Sequence, residues 1–296
     1  MTTNMTGWAH AKVNWTLAVL HRREDGYHEI DTVMQTLALA DKVELFASGS
    51  GQVRVSGPYA QGVPTDERNL ACQAAQQYAA WAGLERGFGI ALEKNIPSQA
   101  GLGGGSSDAA TVLRLLELEH HKLGEVRLRQ LAATLGADVP FFLGAAAARC
   151  RGAGERLMAI AAQPFWLLLA MGGGGAATPA VYGRWDEQGQ GGAAACPERT
   201  LRALAAGDAR GLGAALYNHL EAAACALQPD IGRTLCALGE RKPLAAGMSG
   251  SGAACFALFE RREQAERAAA GLKMDFVCVT HSLHSPGQPA ADKSNS

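Results

Sequence analysis

The sequence predicts an α+β chain of two domains. Three observations predict it. Strand and helix signals are mixed along both halves and do not repeat as regular βαβ units. The pattern breaks at 152–164, which places the domains at 1–158 and 159–284. Each half carries a glycine-rich loop beside a strand signal, at 101–105 and 245–252.

The elements follow from periodicity and punctuation. Alternating residues 12–20 read as a strand. The Asp25-Gly26 pair then marks a turn. Strands are expected at 30–39 and 42–46, joined by a turn at Ala40-Asp41, and again at 52–55. Residues 66–81 have helical apolar spacing and Gly83 to end them. A strand at 89–93 feeds the first glycine loop, and a helix follows to about His121, closed by Gly124. A helix at 125–135 precedes Leu135-Gly136-Ala137-Asp138-Val139-Pro140, where Pro140 discourages helix at Val139. Strands are expected at 145–150 and 165–171, and a helix from Thr178-Pro179. Residues 189–197 read as a mobile loop. Helices at 200–206, 212–220 and 231–238, a loop at 245–252, a strand at 254–259, a helix at 261–271 and a strand at 275–283 complete the chain. The polar tail 285–296 is expected to be disordered.

Composition narrows the class. A 296-residue chain that is 48% hydrophobic can bury a sizeable core. A net charge of -1 argues against a broad nucleic-acid or membrane-surface binder. Seven cysteines without a C-x-x-C pair read as reduced, cytoplasmic usage. No apolar run is long enough to span a bilayer, and the N-terminus lacks a signal-peptide core.

The stretch Pro97-Ser98-Gln99-Ala100-Gly101-Leu102-Gly103-Gly104-Gly105-Ser106-Ser107 runs straight into a helix. Glycines allow sharp turns and close backbone approach, and a helix N-terminus presents unpaired N–H groups with partial positive charge. Together they suit a phosphate, although a tight turn with a serine cap gives the same letters. The stretch is neither a Walker loop nor a Rossmann fingerprint. Positive charge must come from elsewhere, with Lys12 and Lys94 as candidates. Lys12 lies in an apolar-flanked strand start, where a solvated lysine is out of place. Asp138 precedes Val139-Pro140-Phe141-Phe142, where a bare carboxylate is costly; it is either a helix cap or the partner of Lys12.

Ala11-Lys12-Val13-Asn14, the segment 22–29, the glycine stretch, Leu135 to Pro140 and Ser249-Gly250-Ser251-Gly252 stand in the order of the GHMP small-molecule kinases, which the chain resembles over about 9–283. Asp25-Gly26-Tyr27-His28-Glu29 resembles the branch acting on a cytidine diphosphate-linked methylerythritol. The resemblance implies an N-terminal mixed β-α-β nucleotide-binding domain and a C-terminal ferredoxin-like α/β sandwich. It implies ATP as co-substrate, Mg2+ and transfer of the γ-phosphate to the 2-hydroxyl, in isoprenoid precursor synthesis by the non-mevalonate route. A monomer or homodimer in the cytoplasm is expected, with no nucleic acid or membrane as partner.

On this resemblance Asp138 accepts the hydroxyl proton and Lys12 polarises the hydroxyl. Pro97 and Gln99 to Ser107 (Gln99, Ala100, Gly101, Leu102, Gly103, Gly104, Gly105, Ser106, Ser107) hold the ATP, and Ser107 is the candidate metal contact. Lys94 and Asn69 lie where the adenine pocket is usually built. Asn14 and Gly250 bind substrate, Tyr27 stacks on cytosine, and His28 bonds its edge. Tyr182 falls where a second stacking aromatic is expected, or packs in the core. The chain departs from the pattern at His10, Cys72-Gln73, Asn218-His219-Leu220-Glu221 and Gly172 to Gly175. The last change replaces a proline-containing loop and puts its rigidity in question. A kinase for another small alcohol, or a nucleotide-binding regulator without turnover, are the alternatives. Tyr27-His28 argues against the first, and Lys12 with Asp138 against the second.

Overall fold

The computed structural model describes residues 4–47, 51–85, 87–189 and 196–284. The tail at 285–296, and most of the loop expected at 189–197, lie outside the described residues. In chain order the elements are β1 (Met5–Arg22), β2 (His28–Ala47), β3 (Val53–Ser56), α1 (Leu70–Ala82), β4 (Phe88–Glu93), α2 (Gly104–His120), α3 (Gly124–Leu135), α4 (Val139–Phe142), β5 (Ala147–Gly152), β6 (Arg156–Ala159), β7 (Trp166–Met171), α5 (Thr178–Glu187), α6 (Pro197–Ala206), α7 (Ala209–Gly213), β8 (Tyr217–Asn218), α8 (Glu221–Leu227), α9 (Pro229–Gly239), β9 (Ala245–Met248), β10 (Cys255–Phe259), α10 (Arg262–Ala269) and β11 (Phe276–His281). None of these helices is long and apolar enough to cross a membrane.

The chain forms two compact units. The first takes the chain up to Ala11, Leu39–Ser98 and Gly103–Gly144; the second takes Lys12–Ala38, Gln99–Leu102 and the chain from Ala145. In the first unit the end of β2 pairs antiparallel with β4 (Val43 opposite Leu92), and β3 joins β4 in parallel. Helices α1 and α2 pack together. Tyr78, Leu113, Leu116 and Phe141 are fully buried there. Asn69 caps α1 by accepting from the Ala71 N–H at 2.9 Å, and Gly83 ends it at φ 66°. The helix therefore begins at Leu70, four residues later than the acidic start suggests. Gly124 opens α3; α2 is closed instead by His121, itself left-handed at φ 50°.

The turn expected at Ala40-Asp41 is absent: β2 runs through both residues. Aspartate is a turn former because it bonds backbone near it. Here the Asp41 carboxylate takes its hydrogen bonds from the segment after β4, so the strand continues. Strand β1 also starts earlier than expected. Gly7 conceals it, because this glycine hides the usual strand signal while letting the strand lie against α2. A Cβ there would come 2.7 Å from Thr111 Cγ2.

In the second unit the start of β2 pairs with β5 (Thr32 opposite Cys150), β5 with β6, and β1 with β8 in parallel (Thr16 opposite Tyr217). A separate antiparallel sheet has the order β11-β7-β10-β9. Numbered along the chain, its strands read 4-1-3-2, with α9 and α10 packed on them. This is the ferredoxin-like sandwich expected of the C-terminal part. Leu168, Ala257 and Phe259 from this sheet share an apolar cluster with Val181, Trp185 and Ile231 from the helices. The helix expected at 212–220 is α7 followed by β8, because pairing with β1 draws Tyr217 and Asn218 into extended backbone. The loop expected at 245–252 is shorter: residues 245–248 form β9, which pairs with β10.

Candidate active site

The first unit supplies the helix end of the glycine stretch. Gly103 is the N-cap of α2, at φ 74°, and has no side chain to cap with. Ser106 and Ser107 lie inside the helix, so the serine-cap alternative is corrected. The Ser107 N–H bonds Gly103 O at 2.9 Å, while no acidic residue occupies the first turn. No carboxylate from the first turn of this 17-residue helix itself offsets its dipole. Ser107 is buried and Ser106 half-buried.

Behind this turn lies an ion cluster that sequence reading did not assemble. The Lys94 ammonium donates to Asp41 and, at 2.5 Å, to Asp108 Oδ2. Asp41 Oδ1 accepts the N–H groups of Asn95 (2.5 Å) and Ile96 (2.8 Å). The three side chains are only 4%, 0% and 2% exposed. The cluster ties the exit of β4 to α2, so it fixes both strand and helix around the loop. Burial works against the Lys94 charge, but Asp108 and Asp41 outweigh it and raise its pKa. One ammonium cannot balance two carboxylates in a dry site. Burial accordingly pushes the Asp108 carboxyl up to about 7, with Lys94 opposing and Asp41 adding to the rise. Its Oδ1 is buried without a hydrogen-bond partner among the described residues.

A stability consequence follows. The folded chain holds the Asp108 proton to about pH 7, whereas the unfolded chain releases it near 3.8. That contribution is therefore full below the lower value and drains as pH rises through the window. Asp108→Asn, which cannot titrate, is expected to lose less stability than the parent between pH 5 and 8. Urea unfolding of both proteins at the two pH values checks this.

Lys94 and Asn69, expected near adenine, are both engaged in the fold. The Asn69 amide caps α1 and donates to Pro64 O at 2.7 Å. Asp138 sits at the N-cap position of α4 but makes no capping hydrogen bond. The capping alternative is thereby corrected as well. Its carboxylate is half-buried, directly before buried Val139, Pro140 and Phe141.

The second unit holds Lys12, 3% exposed. Its Nζ donates to Asn14 Oδ1 at 2.5 Å, Asn14 Nδ2 to Thr32 Oγ1 at 2.8 Å, and Thr32 to Thr16 O at 2.6 Å. Ser249 Oγ accepts the Asn14 N–H at 3.3 Å and donates to Gly101 O at 2.9 Å. The Lys12 N–H meets Leu102 O, and the Ala254 N–H meets Ala100 O, both at 2.9 Å. Residues 99–102 are thus held by β1 on one side and the 249–254 loop on the other. Asn218 Nδ2 pins that loop through Met248 O (2.9 Å) and Gly250 O (2.8 Å). Ser249 and Asn218 both stood in quoted motifs, but Thr32 carried no local signal.

Close approach explains the glycines here. A Cβ on Gly101, at φ 74°, would fall 2.2 Å from Ser249 O, and one on Gly250 would crowd Lys12 Nζ at 3.2 Å. Gly101→Ala is expected to cost roughly 3 kcal/mol, from the left-handed backbone plus the clash. Urea unfolding measures it. Gly173 and Gly175 likewise leave no room, with virtual Cβ distances of 2.7 Å to Asp230 and 2.4 Å to Gln99 O. The Gly173 N–H also meets Asp275 Oδ2 at 2.8 Å. The run at 172–175 is therefore backed by neighbours at Gly173 and Gly175, whereas Gly174 faces open space.

Also in this unit, the Asp25-Gly26 turn displays Tyr27, 64% exposed. His28 Nε2 lies 2.9 Å from Asp186 Oδ1. The His28 ring stacks on Tyr182 at 4.7 Å. Tyr182 also packs against the apolar cluster, as the core-packing alternative for it expects.

The model of the GHMP kinases N terminal domain matches residues 69–145, and that of the GHMP kinases C terminal matches 200–277. With the ferredoxin-like sheet and the glycine loop they define a GHMP kinase. A 4-diphosphocytidyl-2-C-methyl-D-erythritol kinase of Deinococcus radiodurans is 42% identical over 272 residues, 90% of this chain and 87% of the relative. One from Thermus thermophilus is 43% identical over 269 residues, 90% and 91% of the two chains. A crystal structure of 4-(cytidine 5'-diphospho)-2C-methyl-D-erythritol kinase superposes with a TM-score of 0.79 at 38% identity, covering 94% of this chain and 99% of that one. The chain belongs to the family of 4-diphosphocytidyl-2-C-methyl-D-erythritol kinases.

Proposed function

We propose that the protein transfers the γ-phosphate of ATP to the 2-hydroxyl of 4-diphosphocytidyl-2-C-methyl-D-erythritol, in isoprenoid precursor synthesis by the non-mevalonate pathway. The observation that carries this is the 42–43% identity to kinases of that name over about nine-tenths of both chains. The O–H bond of the substrate breaks as its oxygen bonds phosphorus; ADP leaves and one proton is released.

The residues divide the work. The backbone of Gly101 to Ser107 cradles the triphosphate, with Pro97, Gln99 and Ala100 leading into it. Lys94 and Asn69 keep the segments near the adenine rigid. Asp138 takes the hydroxyl proton, and Lys12 stabilises the developing charge on that oxygen. Asn14 and Gly250 bound the substrate side of Lys12. Tyr27 and Tyr182 offer faces to the cytosine, and His28 meets its edge. Phosphoryl transfer asks mainly for such positioning and charge stabilisation.

Mg2+ takes hard oxygen ligands and keeps several from phosphate and water. The hydroxyls of Ser106 and Ser107 on the first turn of α2 fit that donor chemistry. When bound, Mg2+ offsets charge on the phosphate oxygens. All seven cysteines are free, which supports a reducing cytoplasmic location. Phosphorus NMR of purified protein with substrate, ATP and Mg2+ is expected to show the 2-phosphate; its absence at high enzyme concentration refutes the assignment.

A further inference from the structure

We propose that Asp186 fixes the tautomer of His28 and so makes the site select cytosine over uracil. The proposal rests on the reading that His28 meets the edge of the substrate's base.

His28 opens β2, and its side chain is only 8% exposed. Three side chains of α5 hold its ring. Tyr182 stacks on the face at 4.7 Å with 27° between the planes. Trp185 meets it edge-on at 5.9 Å and 87°. Asp186 Oδ1 lies 2.9 Å from Nε2. These residues are spaced i, i+3 and i+4, so they share one helix face. The helix itself is anchored, since Val181 and Trp185 are buried in the apolar cluster. A ring held on its face, its edge and one nitrogen has one orientation.

An ionised carboxylate offers only lone pairs, so Nε2 carries the hydrogen. In a neutral imidazole the other nitrogen is then a bare acceptor. His28 Nδ1 has no hydrogen-bond partner among the described residues. An acceptor there complements the 4-amino group of cytosine. Uracil presents a carbonyl at the same position, and two lone pairs would face each other. Asp186 does not touch the base. It is a positioning residue, acting through His28. Without it the imidazole is free to put its hydrogen on Nδ1, which suits uracil instead.

The test compares kcat/KM for the cytidine substrate and its uridine counterpart in the parent, Asp186→Ala and Asp186→Glu. Asp186→Ala is expected to raise KM for the cytidine substrate about tenfold and lower the cytidine/uridine ratio at least as much, with KM for ATP within about twofold. Asp186→Glu is expected to restore most of the ratio. Nitrogen-15 NMR of the imidazoles, with His28→Gln identifying the resonance, is expected to show hydrogen on Nε2 in the parent and both tautomers in Asp186→Ala. An unchanged ratio in Asp186→Ala, or hydrogen on Nδ1 in the parent, overturns the proposal. A parent that fails to phosphorylate the cytidine substrate refutes the functional reading instead, and the NMR result then decides the Asp186 assignment alone.

Discussion

Asp138→Asn is expected to lower kcat about a thousandfold while ATP affinity stays within about twofold. The substitution keeps the shape of the side chain and removes its charge and its capacity to take a proton. Asp138 makes no capping hydrogen bond to α4, so the substitution removes no cap. The residues after it, Val139 to Phe142, are buried by their own apolar packing. Thermal unfolding of the variant, measured alongside, separates a chemical loss from an unfolded protein. Steady-state kinetics give the turnover and titration calorimetry the ATP affinity. A tenfold or larger loss of ATP affinity with unchanged turnover would place Asp138 at the nucleotide and not at the acceptor. Asp138→Glu keeps the charge but moves it by one methylene, and geometry on this scale decides rate. It is expected to recover only part of the activity.

Lys12→Ala is expected to cost a further comparable factor, about a hundredfold to a thousandfold in kcat, again with ATP affinity little altered. Here a stability loss accompanies the kinetic one. The ammonium is the donor to Asn14 Oδ1, and that amide is in turn tied to Thr32. Removing it leaves a buried acceptor unsatisfied, which costs about 1–3 kcal/mol. Lys12→Met restores the apolar stem but not the charge, so it should regain packing without regaining turnover. Lys12→Arg should not rescue either. The space around Nζ is tight, since even a methyl on Gly250 would stand 3.2 Å away, and a guanidinium is wider than an ammonium. Urea unfolding and steady-state kinetics on the three variants separate the two losses. Full activity in Lys12→Met would remove Lys12 from the chemistry.

Much of this site is legible locally. Glycine at 101 and 103, the Asp25-Gly26 turn and the break at Gly136 to Pro140 each announce themselves within a few residues. Backbone conformation near a glycine or proline is a short-range property. Amphipathic spacing likewise reveals α1 and α3, whose buried residues recur on one face. Errors fell where a distant partner changes what a local signal means. Asp41 has the letters of a turn former, yet its hydrogen bonds come from residues 53 to 55 positions away. The alanine-rich 212–220 segment looked helical until β1 took up its end.

The sequence by itself determined the order of the motifs, the two glycine loops, the secondary-structure class and, through the motifs together, the family. Tertiary structure alone decided which charges meet. The Asp41–Lys94–Asp108 cluster and the His28–Asp186 pair join residues 14 to 158 positions apart. The physical reason is that a buried charge is tolerated only beside its partner, and the partner is brought there by packing of whole elements. No periodicity or turn signal near either residue encodes that meeting.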